Sequence, residues 1–128
     1  MTTYSFENLI VWQKAHQFVL AVYRATQDFP DTERFGLLTQ FRRAAVSITA
    51  NIAEGYKKLS RADKLRFFNI SQGSLEECRN YIILSRDLGY ITENQYEELR
   101  IMIEESSKLL NAYSLSVNEN KAVQDELS

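Results

Sequence analysis

Along the chain the apolar residues recur at steps of three and four, which is the period of helices packed on one face. Ala15, Phe18, Val22 and Thr26, flanked by Val11, Trp12, Val19 and Tyr23, predict a first helix over about residues 8–28, although Phe6 to Val11 also reads as an extended lead-in. Pro30 lacks a backbone N–H and stops that helix. Leu38, Phe41, Ala45, Ile48 and Ile52 predict a second over about 34–58. Phe68, Ser71, Leu75, Cys78, Ile82 and Ser85 form the seam of a third over about 61–88, which Gly89 is placed to end. Tyr96, Leu99, Ile103, Ser106, Leu110 and Tyr113 mark a fourth over about 93–117. Ser60 with Asp63, and Thr92 with Gln95, have the spacing of helix-starting capping pairs. Short connections between such helices make successive ones antiparallel neighbours, so the expected fold is all-α, an antiparallel up-down-up-down four-helix bundle. Residues 1–117 form its single domain, and 118–128, where apolar positions are sparse, are expected to be a frayed tail.

Composition narrows the picture. With one proline and four glycines in 128 residues, few helix breakers are available. The first residues show neither the basic nor the apolar stretch of a signal peptide, and no apolar run approaches the roughly 20 residues of a membrane span. A lone cysteine, Cys78, excludes an internal disulfide. A cytoplasmic protein with no membrane partner is the expectation.

A second stripe lies beside the apolar seam of the second helix: Gln40, Arg43, Ser47, Asn51 and Glu54 share one face through steps of 3, 4, 4 and 3. It reads as a hydrogen-bonding face, the edge of a subunit interface or part of one. A tight turn near Leu59 sets an approximate register for the second and third helices. That register places Ala44, Ala45 and Ser47 opposite the region of Ser71, Gly73 and Ser74, so that Gly73 permits close helix approach. It also places Arg42 and Arg43 near Glu76 and Glu77, as an interhelical ion-pair network.

Net charge is −2, but the distribution is uneven. Residues 34–66 hold eight basic and two acidic side chains, a net of +6, whereas 93–128 hold three basic and eight acidic, a net of −5. The basic block fits an anionic partner, with Lys57, Lys58, Arg61, Lys64 and Arg66 as the candidate nucleic-acid contacts. The plainer alternative is that these are solvated helix faces whose opposite charges attract within an oligomer.

Residues for catalysis are scarce. Di-iron bundles use Glu-x-x-His pairs, yet the single histidine, His16, follows Gln13 at that spacing. Cys78 sits on an apolar seam with the one histidine distant in sequence, and the four glycines are too scattered for a phosphate loop. No enzyme activity, metal or cofactor is expected.

Several strings resemble one family. They are Phe6-x-x-Leu9-x-Val11-Trp12-Gln13-Lys14-Ala15, Phe29-Pro30, Gly36-Leu37-x-x-Gln40-x-Arg42-Arg43-Ala44-Ala45-x-Ser47, Asn51-Ile52-Ala53-Glu54-Gly55, Gly73-Ser74-Leu75-x-Glu77 and Leu88-Gly89-Tyr90-Ile91. Together they are similar to the 23S rRNA intervening-sequence proteins, over about residues 6–115. The resemblance implies a bacterial four-helix bundle assembling as a ring-like homopentamer, with no catalytic residues. A related branch comprises the basic accessory proteins of diversity-generating retroelements, from which this chain departs in being acidic overall. Three partners follow as expectations: further copies of the chain, RNA or DNA, or another protein held by a scaffold ring.

Overall fold

A computed structural model describes residues 5–127, with side chains up to Glu119. Four helices make up the fold: α1 (Ile10–Thr26), α2 (Leu37–Lys57), α3 (Arg61–Asp87) and α4 (Glu93–Leu127). Two single 3-10 turns, Phe6–Asn8 and Asp31–Glu33, precede α1 and α2. The first lies in the Phe6–Val11 stretch also read as a lead-in, and α1 opens at Ile10, two residues after the expected start. Phe6 there packs edge-on against Trp12, with centroids 5.1 Å apart, and the Ser5 hydroxyl accepts from the Glu7 N–H. No strand occurs among the described residues.

The ends of the helices have local causes. Ser60 Oγ accepts the Asp63 N–H at 3.1 Å and caps α3. At α4 the capping is reciprocal: Thr92 Oγ1 accepts the Gln95 N–H, and Gln95 Oε1 accepts the Thr92 N–H. Gly89, at φ 76°, supplies the left-handed residue after α3, and the Tyr90 N–H then returns to the Ser85 carbonyl. The fourth helix was expected to end near Val117 but runs on to Leu127. No glycine or proline follows Gly89, so nothing local stops it.

Side-chain pairs fix the directions. Between α2 and α3, Gly55 meets Phe68, Ser47 meets Ser74 and Phe41 meets Tyr81, so numbers rise on one helix as they fall on the other. Gln72 with Asn111, Arg79 with Glu104, and Arg86 with Tyr96 show the same for α3 and α4. Lys14 pairs with Glu105, while Ala21 and Ala25 lie beside Leu99 and Gln95, which makes α1 and α4 antiparallel. Alternation around the circuit then makes α1 antiparallel to α2, so the topology is up-down-up-down. Sequence-adjacent helices pack together, α1 packs on α4, and the backbones of neither diagonal pair come within 8 Å, Cα to Cα, among the described residues. The core is the predicted set of seams: Phe18, Phe41, Ile48, Ile52, Phe68, Leu75, Ile103 and Leu110 are all almost fully enclosed.

Candidate nucleic-acid interface and the polar face of helix α2

The α2–α3 turn gathers the five predicted cations at one end of the bundle, and the structure divides them into two groups. Two are engaged internally. Lys64 Nζ donates to the carbonyls of Tyr56 at 2.6 Å and Gly55 at 3.5 Å, closing the open end of α2. Partial burial lowers its pKa. Arg61 Nε donates to the Val117 carbonyl at 2.8 Å, tying the start of α3 to α4. The other three donate to no backbone carbonyl among the described residues; Arg66 is exposed and Lys58 half-buried. Lys57 is exposed, at the last position of α2. Lys58 Nζ lies 5.0 Å from the centroid of the Phe67 ring, and the Arg66 guanidinium lies 4.7 Å from the same centroid. An aromatic ring attracts cations through its quadrupole and holds both long side chains near one spot. Asp63 lies 3.7 Å from Arg66 in an exposed pair, and Glu54 of α2 sits one turn before Lys57 and Lys58. Phe67 was not foreseen as part of this cluster; its position beside Arg66 in a basic stretch was the available signal.

The polar stripe of α2 is partly joined. Ser74 Oγ donates to Ser47 Oγ at 2.8 Å, and Asn51 Nδ2 donates to both the carbonyl and the hydroxyl of Ser47. Ser71 Oγ reaches the Ile48 carbonyl at 2.5 Å. Gln40, Arg43 and Glu54, by contrast, are exposed.

Two expectations for the α2–α3 pair are corrected. The ion-pair network of Arg42 and Arg43 with Glu76 and Glu77 does not form. Arg42 points instead toward α1, where Nε donates to Thr26 Oγ1 at 2.8 Å, Nη2 to the Tyr23 carbonyl at 3.2 Å, and the guanidinium lies over the Tyr23 ring. Glu76 pairs with Arg79 on its own helix, and Arg79 bridges on to Glu104 of α4. The true register is displaced from the estimate by up to about one helical turn, enough to turn Arg42 to another neighbour. Gly73 is likewise not the close-approach residue: it is exposed, and a Cβ there meets nothing within 4 Å. That role belongs to Gly55, where a Cβ falls 2.6 Å from Phe68 Cε1.

A clasp at the opposite end was also missed. The Glu33 carboxylate accepts the Leu37 N–H at 3.0 Å, starting α2, and the Tyr90 hydroxyl at 2.8 Å, fastening the α3–α4 connection. Those two bonds hold its pKa below the ordinary value.

The two candidate chemical side chains lie on different helices, Cys78 on α3 and His16 on α1. Cys78 is buried, and burial pushes its thiol well up, away from a nucleophilic thiolate. His16 stacks on Trp12, with centroids 4.7 Å apart. Among the described residues no group of three or more His, Cys, Asp or Glu is placed to hold a metal, and no helix is long and apolar enough to cross a membrane.

The class defined so far is an antiparallel four-helix bundle with a cationic end and a sealed core. Within that class the sequence matches the 23S rRNA-intervening sequence protein family over residues 7–112, and the chain belongs to that family. A solved structure from Bacteroides thetaiotaomicron VPI-5482, described as a protein with unknown function from the S23 ribosomal protein family, is similar at 28% identity with a TM-score of 0.76. The match covers 82% of this chain and 95% of that one. No curated protein matches the sequence.

Proposed function

We propose that this chain is a non-enzymatic, self-assembling bundle, a homopentamer as the family resemblance implies, that binds RNA through the end where α2 turns into α3. The observation that carries the reading is the group of Lys57, Lys58 and Arg66, two of them gathered over the ring of Phe67. Phosphates are matched by clustered cations that are not already neutralised: Lys57 and Lys58 are in no ion pair among the described residues, and that of Arg66 with Asp63 is exposed. In an assembly the cluster repeats once per copy, so modest contacts add along one polyanion. Arg61 and Lys64 then act as supports: they hold the turn to α4 and to the end of α2. A non-catalytic role is supported by the buried thiol of Cys78 and the stacking of the lone histidine on Trp12.

The test is binding of an rRNA fragment at low and at moderate salt. The native protein is expected to bind at low salt and weaken as salt rises, because counterions released on binding are recovered. The triple variant Lys57→Glu, Lys58→Glu, Arg66→Glu is expected to lose binding by at least tenfold while keeping its helical circular dichroism. A native protein that binds no RNA at low salt defeats the RNA reading and leaves the scaffold ring for a protein partner. Undiminished binding by the triple variant puts the site elsewhere.

A further inference from the structure

Two solvent-facing helix surfaces carry matched rows of opposite character. On α2 the row is Arg43, Val46 and Ala50, at steps of three and four; Val46 is 42% exposed, and Arg43 has no partner among the described residues. The sequence from Arg34 to Ala53 contains Arg34, Arg42 and Arg43 and no acidic residue at all. On α4 the row is Glu98, Ile101 and Glu105, again at steps of three and four; Ile101 is 62% exposed, Glu98 has no partner among the described residues, and Glu105 is paired with Lys14 of α1 at 3.3 Å. Between Glu93 and Glu105 five glutamates accompany one arginine, Arg100. Isolated exposed apolar residues are ordinary on a protein surface. An unpaired base beside an apolar residue on one helix, and an unpaired acid beside an apolar residue on another, at the same spacing, make complementary halves.

We propose that the outward face of α2 in one copy packs against the outward face of α4 in the next, with Val46 against Ile101 and Arg43 against Glu98. This deepens the self-assembly reading and rests on it. The small Ala50 lets the second helix come close, and steps of three and four on both rows suit ridges-into-grooves packing. Because α2 and α4 are diagonal in the bundle, with no Cα pair within 8 Å, each copy offers both outward faces at once. Contact between two different faces is head-to-tail, so it continues beyond a dimer and closes into a ring when the rotation permits.

Light scattering after size exclusion tests this, using Val46→Glu and Ile101→Arg separately and mixed. Both positions are solvent-exposed in the single bundle, so each variant is expected to keep the helical circular dichroism and the cooperative unfolding of the native chain. The native protein is expected at a mass above twice the 14.9 kDa chain. Each variant alone is expected at the single-chain mass. Their equimolar mixture is expected at two chains, since one retains a working α4 face and the other a working α2 face. Variants that keep the native mass, or a mixture that stays monomeric, overturn the assignment of faces while leaving assembly intact. A native protein that is itself monomeric overturns the assembly reading.

Discussion

Glycine shows how a single residue type takes opposite roles in neighbouring helices. At Gly55 the missing Cβ is the condition for seating Phe68, which is buried and has no room to retreat. Gly55→Ala is therefore expected to cost about 1–3 kcal/mol through overpacking. At Gly73 nothing opposes a Cβ, and the residue lies in the interior of α3. Gly73→Ala is expected to stabilise by about 0.5–1 kcal/mol, as the unfolded chain loses freedom and the helix keeps its shape. Urea unfolding of the two variants at one protein concentration compares them directly; midpoints shifted in the same direction contradict the assignment. The sequence alone pointed to the wrong glycine. A helical glycine announces a possible close contact without saying which way the helix is turned, and that turn depends on the register of the whole hairpin.

At the scale of the element, the period of the apolar residues was sufficient. The seams Leu38 to Ile52, Phe68 to Ser85 and Tyr96 to Tyr113 gave three helices and most of the core, because burying one face of each is what selects a helix over other conformations. Helix starts were legible too, since their chemistry is local. Thr92 and Gln95 make both bonds of the capping box. Thr92→Ala is expected to cost about 1 kcal/mol, read as a lower urea midpoint at unchanged slope. What local patterns do not encode is the azimuth of one helix against another. A displacement of a few residues moved Arg42 from Glu76 to Thr26 and Tyr23, and it left Arg79 to join α3 and α4 through Glu104. The same limit applies at the basic turn. Five cations were visible in the sequence, but their division into Arg61 and Lys64 as supports and Lys57, Lys58 and Arg66 as the remaining charges follows from where backbone carbonyls happen to lie.

For the whole molecule, two carboxylates tie helices together at different places, and both are acidified by the ties. Glu33 joins the start of α2 to Tyr90, and its pKa is lowered by the Leu37 N–H and the Tyr90 hydroxyl. Glu104 joins α4 to α3, and its pKa is lowered chiefly by the Arg79 guanidinium. A carboxyl group that is more acidic when folded makes the unfolded chain bind more protons as pH falls. Its contribution is complete above the ordinary glutamate value of 4.5 and disappears as pH drops through the lower folded value. Unfolding free energy, measured by urea at fixed protein concentration, is therefore expected to change little on this account from pH 7 to about 5 and to fall below about 4.5. Glu33→Gln with Glu104→Gln removes both ties in their charged form. The double variant is expected to be less stable at pH 7 and to lose stability less steeply between pH 5 and 3, so that the two curves converge in acid. Curves that stay parallel through that range contradict both ties as the source of the acid response.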